Sequence, residues 1–324
     1  MKAILCTHFG TPDDLQLADI ESPQAGPGQA VVRIKATALN FFDTLIVAGK
    51  YQQKPPFPFS PGAEFAGVIE SVGAGVKDVA TGDRVMGYSG WGAAREAIAV
   101  AAERLVKLPN GLEFERAAGL TVTYGTTLYA LRERASLKHG ESLVVLGASG
   151  GTGLATIELG KIMGARVIAC ASSDEKLFFA RDHGADQTVN YAREDLRNAL
   201  KRLGGESGFD VVYDPVGGPY AEPALRSLGW LGRYLVVGFA AGEIPKIPLN
   251  LALLKSCDIR GVSWGAWTKR EPLAQRQLMI DIVRWSSEGK LSAHVHAVYP
   301  LAEIAAALKV IAERKVMGKI VLRP

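Results

Sequence analysis

Cysteine is scarce in this chain. Three occur in 324 residues, at Cys6, Cys170 and Cys257, and none forms a C-x-x-C pair. An odd, scattered count excludes a disulfide framework and a zinc knuckle. Basic clusters are absent too. Lys and Arg number 37 against 33 Asp and Glu, a formal net charge of +4 without a run of one sign. Nucleic acid is therefore not an expected partner. No apolar run approaches the roughly 18 residues of a membrane span. The first residues, Met1-Lys-Ala-Ile-Leu-Cys6, turn polar too soon for a secretory leader. No membrane partner is expected, and the cytoplasm is the expected compartment. Internal repeats and low-complexity tracts are missing as well.

What remains is an ordinary globular composition, 48% hydrophobic and 22% charged. The length, as a soft prior, predicts two domains. The first ~110 residues read as β-rich, with turn signals at short intervals. Strands are predicted at 2–6, 29–38, 65–72, 84–87 and 94–100, separated by turns such as Gly26-Pro-Gly28 and Gly73-Ala-Gly75. From residue 113 the rhythm changes. Helices are predicted at 113–119 and 126–134. Strands at 143–146, 166–171, 187–190, 210–214 and 233–238 then alternate with helices near 153–163, 174–183, 195–203 and 220–228. That alternation predicts a parallel sheet with helices on both faces. Residues 258–263 would add a sixth strand. The tail reads as a helix at 272–288, a strand at 294–298, a helix at 302–314 and a last strand at 319–322.

One segment carries chemistry on its face. In Leu143-Val-Val-Leu-Gly-Ala-Ser-Gly-Gly-Thr-Gly153 a short apolar strand breaks into glycines and resumes as a helix. This is the opening of a dinucleotide-binding βαβ unit. Gly147, Gly150, Gly151 and Gly153, with Ser149 and Thr152 between them, are the predicted pyrophosphate loop. Glycine permits close backbone approach, and the helix N-terminus offers N–H groups and a positive dipole end. No Gly-Lys-Ser/Thr follows, which excludes a P-loop. The second strand ends in Ser172-Ser173, where an acidic residue would grip an unphosphorylated ribose, and Lys176 stands close by. The predicted cofactor is NADPH. Asp174 dissents, because a carboxylate facing the ribose would favour NADH.

Taken in order, the motifs resemble the medium-chain dehydrogenase/reductase superfamily, and within it the zinc-free quinone oxidoreductases that include zeta-crystallin. The resemblance runs end to end. It covers Thr37-Ala-Leu-Asn-Phe-Phe-Asp43, Pro61-Gly-Ala-Glu-Phe-Ala-Gly67, Gly73-Ala-Gly75, Gly82-Asp-Arg-Val85 and Thr123-Tyr-Gly-Thr126. It continues through the glycine loop, Asp210-Val-Val-Tyr-Asp-Pro-Val-Gly-Gly218 and Lys315-Val-Met-Gly-Lys319. It implies a GroES-like β-rich catalytic domain at 1–121, completed by 267–324. A Rossmann doubly wound α/β domain at 122–266 is inserted between them, with the active site in the cleft. The zinc enzymes of this superfamily carry Cys where this chain has Asn40 and His where it has Ala63. The four-cysteine lobe is also absent. A zinc site needs about four N, S or O ligands, so no metal is expected. His294 and His296 share a strand face and read as surface or packing residues. Glu64 reads as a backbone or helix anchor.

The resemblance also assigns roles. It directs Lys176, Tyr191 and Arg314, with Ser172, to the 2′-phosphate. Each also fits a plainer role: a solvated first-turn lysine, a strand-end aromatic, and a cation at a helix C-terminus. It directs Asn40, Thr126, Gly238 and Phe239 to the nicotinamide. The plainer roles there are a strand end for Gly238 and turn caps for Asn40 and Thr126. Asn40 and Tyr51 are the catalytic candidates, as donors to a substrate oxygen. Leu45 stands where close relatives often have a tyrosine. Trp264 and Trp267 fit either a pocket wall or packing at a strand end or subunit contact. The implied activity is NADPH-dependent reduction of quinones or α,β-unsaturated carbonyls, by hydride or single-electron transfer. An enoyl- or acryloyl-thioester reductase and a non-catalytic NADPH-binding protein remain alternatives. A homodimer through the 258–263 edge is the expected assembly.

Overall fold

A computed structural model describes residues 1–324. The chain divides into two compact units, Met1–Thr123 with Lys269–Pro324, and Tyr124–Thr268.

The first unit is built on a mixed seven-stranded sheet. In spatial order it runs Val295–Pro300, Lys319–Arg323, Gln29–Leu39, Glu64–Val72, Arg84–Tyr88 and Leu105–Lys107, while Ala97–Ala101 pairs with Gln29–Leu39. Lys2–Leu5 and Gln16–Asp19 form a separate hairpin. The long strand Gln29–Leu39 is rich in β-branched and small residues, suited to burial on a pleated surface. On one side Val32, Ile34, Phe65, Ile69, Val85 and Leu105 close a core. On another Leu39, Val47, Ile304, Leu308, Ile320 and Leu322 pack together. Register matters more here than composition. Ile320 pairs with Leu39 and Ala38 pairs with Glu64. Three remote segments therefore meet at residues 40, 64 and 319.

The second unit carries six strands, all parallel. Their order is Gln187–Asn190, Arg166–Ala171, Ser142–Leu146, Phe209–Asp214, Leu228–Val236 and Asp258–Gly261. This is the doubly wound arrangement, whose order reverses beside Ser142–Leu146. Val144, Leu146, Ile168, Val189 and Val212 are fully buried, as near-continuous apolar strands covered on both faces should be. The predicted strands of this unit are present within a few residues, including the sixth. Besides Phe41–Val47 in the first unit, two helices were not predicted from sequence. Asn250–Lys255 is short, with Leu253 and Leu254 exposed. Trp264–Arg270 carries both tryptophans on a helix rather than at a strand end. All three cysteines are free and buried.

Candidate active site

In the second unit, the glycine loop leaves the carboxyl end of Ser142–Leu146 and enters the helix Gly151–Ile162. Gly147 has φ +60, and a Cβ there would lie 2.9 Å from Val216 Cγ2. A Cβ on Gly153 would lie 2.3 Å from the Gly147 carbonyl oxygen. No side chain fits at that position, so the helix is held tightly against the loop. Gly150 differs, since a Cβ there would meet only the Gly147 oxygen at 3.5 Å. Its outer face is open, above a helix terminus whose first N–H groups have no intrahelical acceptor. Ser149 is buried and Thr152 half-buried. Beneath the loop lies a polar layer. The Tyr213 hydroxyl sits 3.0 Å from Thr127 Oγ1, and Thr156 Oγ1 donates to the Thr152 carbonyl at 2.6 Å. Burial pushes the Tyr213 phenol up to about 12.

The neighbouring strand ends carry the predicted phosphate residues. Ser172 follows Arg166–Ala171, and Lys176 lies in the first turn of Asp174–Asp182, whose N-cap Ser173 accepts the Lys176 N–H. Tyr191 follows Gln187–Asn190. Its N–H bonds the Ala171 carbonyl at 3.1 Å, and its ring packs 4.4 Å from that of Tyr220. Asn190 Nδ2 donates to Asp174 Oδ1 at 2.6 Å, and Arg193 pairs with Asp174 Oδ2. Both oxygens of the dissenting carboxylate thus have partners. Arg193 is a further cation that sequence reasoning missed, because it follows a strand end without any motif around it. Arg314 belongs to the first unit, just past the helix Ile304–Ala312, with φ +58.

Across the sheet, Asp214 ties down the next loop. It accepts N–H groups from Val216 at 2.7 Å and Gly217 at 2.8 Å, and the Tyr234 hydroxyl. Burial raises its carboxyl above the usual range. Gly238 lies over this loop, where an added Cβ would come within 3.2 Å of the Pro215 oxygen. Phe239 beside it is partly exposed. Thr126 lies within the helix Leu120–Tyr129, not at a turn cap. The tryptophans pack on this same helix. Trp264 fills the space over Gly125, and Trp267 stacks 4.6 Å from Tyr129.

In the first unit, Asn40 precedes the helix Phe41–Val47 and is 8% exposed. Its Nδ2 donates to Glu64 Oε1 at 2.9 Å. Lys319 Nζ donates to Asn40 Oδ1 at 2.6 Å, Glu64 Oε1 at 2.9 Å and the Leu39 carbonyl at 2.8 Å. The other Glu64 oxygen accepts the Val122 N–H at 2.6 Å, so Glu64 does anchor a helix start. Asp43, fully buried, accepts the N–H groups of Asn40 at 2.7 Å and Gly62 at 3.2 Å. Burial pushes its carboxyl up to about 7, against the pull of Lys319. Tyr51 is half-buried and stacks on Phe42 at 5.5 Å. Burial, with Asp43 nearby, raises its phenol. Tyr88, paired in register with Glu64, is raised by burial and by Tyr51, Asp43 and Glu64. Sequence reasoning missed Asp43, Tyr88 and Lys319 as site residues. Strand register brings in Tyr88 and Lys319, and the helix start at Asn40 brings in Asp43.

The family model described as "Alcohol dehydrogenase GroES-like domain" matches residues 26–110, and "Zinc-binding dehydrogenase" matches 151–279. Quinone oxidoreductase-like protein 2 of Rattus norvegicus is 37% identical over 322 residues, spanning 99% of this chain and 91% of that protein. The chain belongs to the quinone oxidoreductase family of medium-chain dehydrogenase/reductases. The quinone oxidoreductase of Pseudomonas aeruginosa is 32% identical, covering 100% of this chain and 99% of its own. The crystal structure of Escherichia coli quinone oxidoreductase complexed with NADPH superposes with a TM-score of 0.93 at 29% identity over all of both chains. The fold class expected from sequence, a GroES-like β-rich domain plus a Rossmann sheet, is the fold of this family. In this quinone oxidoreductase family member, no group of three His, Cys, Asp or Glu side chains is placed to hold a metal ion.

Proposed function

We propose that the protein is an NADPH-dependent reductase of quinones or α,β-unsaturated carbonyls that works without zinc. The observation that carries the cofactor choice is the engaged Asp174 carboxylate. Asn190 and Arg193 hold both of its oxygens, so it is poorly placed to select a free ribose hydroxyl. Ser172, Lys176 and Tyr191 lie at the adjoining strand ends and helix start, with Arg193 against Asp174; these hydroxyl and cationic donors suit a phosphate dianion. The cradle fits the rest of the cofactor. Gly147 and Gly153 leave no room for side chains, and the open face of Gly150 admits a pyrophosphate onto the N-terminus of Gly151–Ile162. Thr126, Gly238 and Phe239 are assigned to the nicotinamide end.

When bound, NADPH supplies the hydride. The chain supplies donors. Tyr51 and Tyr88 have phenols raised by burial, so they stay protonated at neutral pH and donate hydrogen bonds. Asn40 adds an amide N–H. Such groups steady the oxygen that gains charge, here without the acid of a relay or the charge of a metal. Quinones and enones need no more than that, and the names of the relatives support quinones. The reading includes a cytoplasmic homodimer. Its support is the strand Asp258–Gly261 at the sheet edge, with Ile259 exposed.

The test is oxidation of NADPH and of NADH against a panel of ortho-quinones, enones and enoyl-thioesters. Turnover of quinones or enones, at least tenfold faster with NADPH, is the expected result. Tight NADPH binding without turnover, or turnover confined to thioesters, would overturn it.

A further inference from the structure

We infer that Lys319, from the last strand, is a positioning residue that sets the Asn40 side-chain amide with a donor outward. The inference rests on the donor role proposed for Asn40 toward the substrate oxygen. Lysine has three donors and no acceptor, and a carboxylate accepts only. Lys319 Nζ lies 2.6 Å from one end of the Asn40 amide, and Glu64 Oε1 lies 2.9 Å from the other. Only one of the two amide orientations satisfies both, with oxygen toward Lys319 and nitrogen toward Glu64. The opposite orientation would set N–H against N–H and oxygen against oxygen.

The lysine is itself fixed. Its three acceptors, Leu39 carbonyl, Asn40 Oδ1 and Glu64 Oε1, match its three protons. Lys319 is 4% exposed and Glu64 is 0% exposed, so this charge pair is desolvated. In that setting a misaligned dipole is costly. Backbone bonds pin Asn40 from below, since Asp43 takes its N–H and its own carbonyl accepts the Asp43 N–H at 3.0 Å. One Nδ2 proton goes to Glu64. The second is the one donor Asn40 itself has left over, and the residue keeps 8% exposure through which to present it. Its target is the acceptor's carbonyl oxygen. Lys319 thus acts through Asn40 and touches no substrate itself.

The experiment is a double-mutant cycle with a spectroscopic arm. Asn40→Ala should lower kcat about 100-fold, the range for loss of one aligned donor. Lys319→Met should lower kcat roughly tenfold, leave KM for NADPH unchanged, and have no further effect in the Asn40→Ala background. Lys319→Arg should recover most of the loss. In ¹H–¹⁵N spectra without cofactor, the Asn40 amide pair, identified by its disappearance in Asn40→Ala, should show two well-separated protons. They should converge in Lys319→Met and stay apart in Lys319→Arg. Additive kcat losses overturn the inference, as does an Asn40 amide signal indifferent to Lys319. Should Lys319→Met not fold, Lys319→Gln takes its place with the same expected direction, because its amide offers either a donor or an acceptor and so no longer selects one Asn40 orientation. If no quinone, enone or thioester on the panel is reduced, the donor role of Asn40 fails, while the spectra still decide whether Lys319 orients the amide.

Discussion

The two units build their polar sites from different materials. Around residues 147–153 the second unit works with backbone: glycines that exclude side chains and a helix terminus that offers N–H groups. Around Asn40 the first unit works with side chains, a desolvated lysine, a glutamate, an amide and a raised aspartate. The first kind of site tolerates no added atoms, and the second no lost partner. Each should therefore fail in its own way.

The sharpest way to break that contrast is to remove one charge from the first unit. Glu64→Ala leaves Lys319 buried without an anion, and a broken buried pair costs about 3–5 kcal/mol. Urea unfolding should show that loss. A shift well under 1 kcal/mol would mean the cluster is no more demanding than a surface pair.

Asp43 gives the pH form of the same test. Its carboxyl, raised by burial to about 7, stays protonated in the folded protein over a range where the unfolded chain ionises. The folded state binds the extra proton, so stability is fullest below about pH 4 and falls as pH rises toward 7. At about 1.4 kcal/mol per pH unit, the fall is up to about 4 kcal/mol. Asp43→Asn should flatten that slope in urea titrations run across the interval, even if the variant is less stable throughout.

The second unit should respond to atoms added. Gly153→Ala drives a methyl against the Gly147 oxygen, and overpacking of this kind costs about 1–3 kcal/mol. NADPH affinity, read by fluorescence titration, should drop about tenfold or more. Gly150→Ala sets its methyl in the open space assigned to the pyrophosphate, so it should weaken NADPH about as much while leaving urea stability within about 0.5 kcal/mol. A stability loss at Gly150 equal to that at Gly153 would show that loop mobility, not close packing, separates the two positions.

The smallest expected effect concerns discrimination. Lys176→Ala should weaken NADPH binding about tenfold, near 1.4 kcal/mol, and leave NADH untouched. Equal losses for both dinucleotides would place Lys176 away from the 2′-phosphate.

The same contrast explains what could be read from the sequence. A backbone-built site writes itself locally, because Gly147, Gly150 and Gly153 must follow one another within a single turn. The strand–helix alternation around it was legible for the same reason. The side-chain cluster draws on residues 40, 43, 64, 88 and 319; a helix start joins 40 to 43, and strand pairing brings in the rest. Asn40 and Glu64 were noticed through family motifs, but nothing local to Lys319 marks it as buried. Asn250–Lys255 escaped because it is short and leaves Leu253 and Leu254 to solvent, so no apolar stripe announces it. Arg193 escaped because its role depends on the position of Asp174, one strand away.

The cysteines take on a different meaning beside the proposed acceptors. Quinones and enones alkylate thiolates. Cys6, Cys170 and Cys257 are buried, and burial raises all three thiols above their usual range. The nucleophilic form is suppressed and shielded at each position. A protein of this design can meet electrophiles repeatedly without its own thiols being consumed.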